Sequence, residues 1–293
     1  MTYLVSDAIA ETKRYLNTTY RGQVNTLSGA LSSGTTSVSV TYQPGSVQPG
    51  AIIAVDLEEM LVLDLSGSTA TVARGYRGST AASHSSGALV YVNPVFSDWD
   101  VFRGIATDFQ SLSANGLYRV STVNFTYQPA LQGYDLSTPT QILDVLEVRC
   151  NQPGPSKSWP RITKWTLDQN ANTTDFASGN ALILYESGFS GQTVQVSLAT
   201  EFAVPSSVTD DFATLGLPPT ANDIPCLGAA VRCLAGREVQ RNFNETQGQP
   251  RRQEEVPPGA NLGSGRNLAL LRRERIVEEA DRLANTFPTY RRY

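Results

Sequence analysis

The stretch GAIIAVDLEEMLVLDLSGSTATVARGYRGSTAASHSSGALVYV, residues 50–92, decides the fold of the first third of the chain. Its apolar residues alternate with polar ones or run in short blocks, which is typical of β-strands. The segments SGS at 66–68 and RGYRGST at 74–80 separate these blocks and predict turns. Together with the alternating segment TTSVSV at 35–40, the pattern predicts a small β-barrel-like module.

The single histidine of the chain, His84, lies among serines in this stretch. A phosphate-binding P-loop is not indicated, because GYRGST at 75–80 lacks the required lysine. A hydrolase in which His84 acts as a base for a nearby serine is one alternative. We interpret Arg74, Gly75, Gly78 and His84 as a structural loop instead. In this interpretation the two glycines form the turn and both ring nitrogens of His84 make hydrogen bonds.

Other candidate chemical groups are sparse. Glu58 and Glu59 are adjacent in a predicted strand, so their side chains face opposite sides and cannot pair as acid and base. We expect at least one of them to be a solvated charge or to lie at an interface. Cys226 and Cys233 are two helical turns apart with no histidine nearby, which predicts buried thiols. The sequence therefore predicts no catalytic residue, no cofactor site and no metal site.

The rest of the chain alternates between helical and strand patterns. Residues 96–116 predict a helix that Ser97 caps and Gly116 ends. Strand patterns with polar loops fill the next segment. The predicted class is mainly β with α, in five parts: an N-terminal helical segment (1–26, with the helix at 6–19), a small β domain (27–95), a connecting helix (96–117), a jelly-roll-like β-sandwich (118–208) and a C-terminal helical region (209–293). That last region is predicted to hold helices at 223–243 and 266–287, a loop at 244–265 and a tail.

Charge is distributed unevenly. The net charge is −4, with 11 Lys and Arg against 18 Asp and Glu in residues 1–220 (−7) and 12 against 9 in residues 221–293 (+3). The overall negative charge argues against a nucleic-acid-binding protein, and no apolar run approaches the roughly 20 residues of a membrane helix. All 12 basic residues of the second part are arginine, which is favoured at protein interfaces. We predict helical ion pairs Arg275–Glu279 and Glu278–Arg282 there.

The opening stretch resembles a pattern found in head-to-tail connector (neck) proteins of tailed bacteriophages. The residues that carry the resemblance are Glu59-Met60, Arg74-Gly75-Tyr76, Gly78-Ser79-Thr80-Ala81-Ala82, His84 and Gly87-Ala88. The resemblance implies a non-enzymatic virion protein, a head-to-tail adaptor whose ring of about twelve copies lies beneath the portal. It also implies assembly in the host cytoplasm, no membrane association, and DNA that passes through the ring without sequence-specific binding.

Portal and other neck or tail proteins are the partners that this resemblance implies. We expect the C-terminal helix and tail to engage the portal and neighbouring subunits, since arginine and glutamate side chains give register at such contacts. The candidate interface residues are Arg266, Arg272, Arg273, Arg275, Glu278, Glu279, Arg282, Phe287, Tyr290 and Tyr293. The alternative is a phage tail or receptor-binding protein whose sandwich binds a glycan through Trp159 or Trp165.

Overall fold

A computed structural model describes residues 2–16, 23–42, 44–139, 141–152, 158–186, 190–245 and 260–287. Within these ranges the fold is mixed α/β, with mostly antiparallel sheets and four α-helices. The chain forms two compact units. The first unit comprises Met1–Phe109, Val204–Ala213 and Pro219–Arg275, and the second comprises Gln110–Ala203, Thr214–Pro218 and Ile276–Tyr293.

The described residues form four helices and thirteen strands. The helices are α1 (Val5–Tyr15), α2 (Asp98–Leu112), α3 (Asp223–Glu245) and α4 (Ala260–Thr286). The strands are β1 (Gln23–Thr26), β2 (Ser37–Ser39), β3 (Ile52–Val55), β4 (Glu58–Ser66), β5 (Thr69–Ala73), β6 (Leu89–Val92), β7 (Arg119–Thr126), β8 (Gly133–Asp135), β9 (Ile142–Cys150), β10 (Arg161–Ile162), β11 (Trp165–Asp168), β12 (Ala181–Leu184) and β13 (Thr193–Thr200).

The first unit contains a six-stranded antiparallel sheet with the order β1-β6-β3-β4-β5-β2. The two outer strands meet beyond their ends, where Leu27 pairs with Val40 and the amide of Ser28 donates to the carbonyl of Ser39 at 2.9 Å. The sheet is therefore curled into a half-barrel. Its concave side holds a buried apolar core that includes Val38, Ile53, Met60, Val62, Val72 and Val90.

Helices α2 and α3 of the first unit approach each other closely at glycines. A Cβ at Gly104 of α2 would lie 3.0 Å from the Cβ of Ala229, and a Cβ at Gly228 of α3 would lie 2.0 Å from Oδ1 of Asp108. The predicted helix over 96–116 is confirmed as α2 and a following 3-10 turn. Its Ser97 cap is also confirmed, because the Asp100 amide donates to Ser97 Oγ at 3.0 Å.

The second unit contains a four-stranded sheet with the order β10-β9-β13-β7 and a three-stranded sheet with the order β11-β12-β8. All of their pairings are antiparallel. Buried side chains from both sheets join one apolar cluster, which includes Tyr134, Val148, Leu182, Val196 and Leu198. Alternation along β13 explains this, because Val194, Val196 and Leu198 share one face of the strand.

Several boundaries differ from those predicted. The helix predicted at 6–19 begins at Val5 with Leu4 at its N-cap, and its predicted residues 17–19 lie outside the described ranges. The predicted loop at 244–265 is wrong at both ends, and its residues 246–259 lie outside the described ranges. Helix α3 continues to Glu245 and α4 starts at Ala260, since the polar, glycine-containing segment before Arg266 is helical. Strands β1 and β8 were not predicted, because both are short and lack a run of apolar residues.

Candidate functional site

The candidate structural loop surrounds one carboxylate, that of Glu58 at the start of β4. This side chain has no exposed surface. Arg74 donates to both of its oxygens, from Nε at 2.6 Å and from Nη2 at 2.7 Å, and the amides of Gly75 and Ala82 donate at 3.1 and 2.9 Å. Burial would raise the pKa of Glu58, but these hydrogen bonds outweigh it and lower the pKa to about 2. Glu58 is thus a buried, fully paired anion.

Arg74 also connects this carboxylate to the surrounding backbone. Its Nη1 donates to the carbonyls of Ser32 and Thr35 at 2.7 and 2.6 Å, and its Nη2 donates to the carbonyl of Ala82 at 2.6 Å. Lysine could not replace it here, because only a planar guanidinium directs several donors to fixed acceptors. Arg74 therefore fixes the segment before β2 and the segment before His84 to the same strand.

His84 is the third partner of Glu58 and is almost completely buried. Its Nε2 lies 2.9 Å from Glu58 Oε2, and its Nδ1 lies 2.8 Å from Asp56 Oδ2. Its backbone pairs with Leu31 in both directions. Both ring nitrogens therefore make hydrogen bonds, as the sequence predicted. This arrangement leaves neither nitrogen directed at a serine hydroxyl, which the alternative hydrolase mechanism would require.

The two glycines of this loop adopt left-handed backbone conformations. Gly75 has φ of 62° and Gly78 has φ of 83°, a region that side-chain-bearing residues rarely occupy. A Cβ on Gly75 would also lie 3.0 Å from the carbonyl oxygen of Ser79. The turn role predicted for these two positions agrees with this geometry.

Glu59 points to the opposite face of β4 and is also buried. Its Oε2 lies 3.7 Å from Nη1 of Arg77, and burial raises the pKa of its carboxyl. The prediction that the two glutamates face opposite sides is confirmed. The expectation of a solvated charge is wrong, since Glu58 and Glu59 are each only 1 % exposed. The curled sheet buries both faces of this strand at its start.

A second buried carboxylate, Asp108 on α2, binds an arginine of the predicted interface. Arg272 on α4 donates from Nε to Oδ2 at 3.2 Å and has its Nη2 2.9 Å from Oδ1. Arg232 on α3 lies further away, with Nη2 3.8 Å from Oδ1. Burial raises the pKa of Asp108 to about 6, because it outweighs the lowering effect of Arg272 and then Arg232. This pair fastens α4 to α2.

Arg275 makes the next anchor along α4. Its Nε donates to Asp223 Oδ2 at 2.8 Å, and its Nη2 donates to the carbonyl of Thr220 at 2.6 Å. This contact with the start of α3 was not predicted; the Arg275–Glu279 pair stays a prediction. Glu279 accepts a hydrogen bond from Arg282 at 2.8 Å. Glu279 is only 5 % exposed, and a buried carboxylate needs such a partner because water cannot solvate it.

The structure thus divides the predicted interface residues into two groups. Arg272, Arg275 and Glu279 are buried or half-buried and hydrogen bond within the chain, as does the exposed Arg282. The exposed members are Arg266, Arg273, Glu278 and Arg282, and Phe287 is half-buried. Tyr290 and Tyr293 lie outside the described residues. Sequence reasoning missed Asp108 because a single acid in an apolar helix gives no local sign of its distant partner. The helix predicted over 96–116 does include Asp108.

The two tryptophans of the glycan alternative lie on separate segments. Trp159 precedes β10 of the four-stranded sheet, and Trp165 begins β11 of the three-stranded sheet. Trp165 packs against the apolar core that both sheets share. Residues 163 and 164, which belong to no strand, separate β10 from β11.

The three cysteines, Cys150, Cys226 and Cys233, are free thiols. Cys226 is buried and Cys233 half-buried, and burial raises the pKa of each thiol to about 12. Among the described residues, no group of three or more His, Cys, Asp or Glu side chains could hold a metal ion. None of the helices in the described ranges combines the length and apolarity that crossing a membrane requires.

Comparison with known proteins gives no family assignment: no protein-family model matches this chain, and a search of the curated proteins finds no significant relative.

Proposed function

We propose that this protein is a non-enzymatic structural component of a tailed-phage virion, a head-to-tail adaptor that joins the portal to the neck and tail as a ring of about twelve copies. In this proposal the curled sheet of the first unit is the barrel-like module. The two sheets of the second unit form a jelly-roll-like sandwich. Both belong to the ring wall, and DNA passes through the channel without sequence-specific binding.

The observation that carries the proposal is the arrangement of α4. Arg272 and Arg275 fix one side of this helix to aspartates of the same chain. The exposed positions nearby hold Arg266, Arg273 and the apolar Leu270, which is 57 % exposed. A helix that is fixed on one side and presents arginine and leucine on the other is suited to bind a partner protein.

The loop around Glu58 supports a structural role as well. Arg74, Gly75 and His84, which belong to the motif shared with connector proteins, all hydrogen bond to this one buried carboxylate. These residues use their hydrogen bonds to stabilise the loop within their own subunit. A rigid building block needs this, whereas an enzyme needs side chains directed at a substrate.

The proposal is tested by native mass measurement of the protein mixed with the assembled portal of its phage. Wild type is expected to form a discrete complex with a fixed number of copies. The variant with Arg266→Glu and Arg273→Glu is expected to lose it, because both residues are exposed on α4. The double variant Arg14→Glu and Lys164→Glu, which changes two exposed basic residues elsewhere by the same charge, is the matched control.

These point substitutions test the helix surface better than truncation does. A chain ending at Gly265 would also lose Arg272 and Arg275, which fasten α4 to the first unit. If wild type forms no complex with a properly assembled portal, the adaptor role is rejected. If the α4 variant and the control bind equally well, the portal contact lies on another surface.

A further inference from the structure

The first unit contains a cleft that the proposed function does not use. It has a volume of about 570 Å³ and lies between the loops that follow β5 and β6 and the helices α2 and α3. Its walls include three arginines, Arg77, Arg103 and Arg232. Val95, which is 47 % exposed, adds apolar surface beside them. The cleft thus combines cationic and apolar groups.

The three guanidinium groups retain their hydrogen-bond donors. Arg77 lies 3.7 Å from Glu59 and 3.8 Å from Asp100, and Arg232 lies 3.8 Å from Asp108. These distances are longer than a hydrogen bond, whereas Nε of Arg74 lies only 2.6 Å from Oε1 of Glu58.

Arg103 lies over the ring of Trp99 at 6.0 Å from its centroid, a contact that leaves the N–H groups free to donate. Within the part of the chain that the structure describes, none of the three guanidinium groups donates a hydrogen bond to protein. All three can therefore donate to a bound molecule.

The residues that line the cleft carry a positive net charge, whereas two buried acids, Glu59 and Asp108, lie behind Arg77 and Arg232. Asp100 is the acid among its lining residues, against three arginines. Glu59 lies behind Arg77 and has a buried Oε2 without a hydrogen-bond partner among the described residues. Arginine binds carboxylates through two parallel N–H···O contacts, and such charge-assisted pairs are stronger than neutral ones.

The backbone of the cleft is strained at two points. Arg77 has φ of 53° and Asn93 has φ of 47°, both left-handed conformations in residues other than glycine. Such conformations cost about 1 kcal/mol or more each and are concentrated at ligand-binding sites. The strain at Arg77 positions its side chain at the wall of the cleft, where it can contact a ligand.

We propose that the cleft of Arg77, Arg103 and Arg232 binds a carboxylate-bearing polypeptide segment of a partner protein. A polypeptide fits better than nucleic acid for two reasons. The wall carries Asp100, which repels a continuous polyanion, and it carries the exposed apolar side chain of Val95, which can pack against a neighbouring side chain of a peptide. This surface is separate from the exposed positions of α4, so it does not depend on the proposed portal contact.

Fluorescence anisotropy with labelled hexaglutamate at low salt tests this proposal. Wild type is expected to bind saturably, and Arg103→Gln and Arg232→Gln are each expected to weaken binding by about fivefold to tenfold. Arg14→Gln, an exposed arginine on α1 outside the cleft, is expected to bind like wild type. Circular dichroism melting of all four proteins verifies folding, above all for Arg232→Gln, because Arg232 lies 3.8 Å from the buried Asp108.

Three results would overturn the proposal. One is the absence of saturable hexaglutamate binding by wild type up to about 1 mM. Another is an equal loss of binding in Arg14→Gln and the cleft variants, which would indicate diffuse charge attraction. The third is tight binding of a labelled single-stranded DNA oligonucleotide that depends on Arg103 and Arg232 while hexaglutamate does not bind. None of these measurements involves the portal, so their failure is distinguishable from failure of the adaptor role.

Discussion

Glu58 and Asp108 are two of the buried carboxylates of the first unit; both pair with arginine, and yet their pKa values shift in opposite directions. Glu58 accepts hydrogen bonds from Arg74, His84 and two backbone amides, and its pKa falls to about 2. Asp108 meets Arg272 and the more distant Arg232, and its pKa rises to about 6. Hydrogen bonds therefore outweigh the cost of burying the charged carboxylate at Glu58, whereas at Asp108 the cost of burial outweighs the effect of the arginines.

The difference lies in how many donors surround each anion and where they come from. The donors to Glu58 come from residues 16 to 26 positions along the chain, on one loop. Arg272 is 164 positions from Asp108, on another helix. Backbone amides of a tight turn are fixed once the turn forms, whereas a long side chain must be ordered for each contact. Local geometry therefore stabilises a buried charge more completely than one distant arginine does.

Glu58→Gln gives the largest effect that this comparison predicts. The substitution leaves the buried Arg74 and His84 without their anion, and loss of one partner of a buried ion pair costs about 3 to 5 kcal/mol. Urea denaturation of the full chain should show a decrease of that size in the free energy of unfolding. Asp64→Asn, at an exposed acid of the same strand, should change it by less than about 0.5 kcal/mol. An equal effect of both substitutions would contradict the assigned network.

The opposite pKa shifts predict opposite responses to pH. The pKa of Asp108 is higher in the folded chain than its ordinary value of 3.8, so the folded state binds more protons between about pH 4 and pH 6. The free energy of unfolding of wild type, relative to Asp108→Asn, should decrease by roughly 2 to 3 kcal/mol as pH rises through this window. Glu58 contributes stability above its ordinary pKa of 4.5 and loses it as pH falls towards about 2.

Matched urea titrations of wild type and Asp108→Asn from pH 4 to pH 7 measure this difference, because all other titrations are common to both proteins. A difference that increases with pH would show that Arg272 fully compensates the charge of Asp108. In that case the two buried carboxylates would be equivalent, and the number of donors would not be the deciding factor.

Gly228→Ala tests how closely α3 approaches Asp108. The new Cβ would lie 2.0 Å from Oδ1 of Asp108, and this carboxylate is buried and held by Arg272. We expect a destabilisation of about 1 to 3 kcal/mol in urea denaturation. Gly263→Ala is the matched control, because the same methyl group meets nothing within 4 Å on α4. There alanine should stabilise the helix by about 0.5 to 1 kcal/mol, and a loss of stability would contradict its open surroundings.

The sequence predicted the parts of the fold that depend on neighbouring residues. Periodicity identified α2 with its cap and most of the strands, and turn chemistry identified the loop that brings Arg74 and His84 together. It did not predict that Glu59 is buried, because burial depends on the curl of the whole sheet. It also did not predict the hydrogen bond from Arg275 to Asp223, because that contact depends on tertiary packing between α4 and α3.

His84→Gln gives the smallest effect and separates the contributions within the Glu58 network. Glutamine can donate to one carboxylate but cannot bridge Glu58 and Asp56 as the imidazole does. Glu58 keeps Arg74 and two backbone amides in this variant, so we expect a loss of about 1 to 2 kcal/mol in the free energy of unfolding. Asp56 is 71 % exposed, and its pairing with His84 should add less than about 1 kcal/mol in a double-mutant cycle with Asp56→Asn. If His84→Gln costs as much as Glu58→Gln, the imidazole compensates the buried charge of Glu58, and Arg74 and the turn amides do not. The difference between Glu58 and Asp108 would then depend on His84 alone.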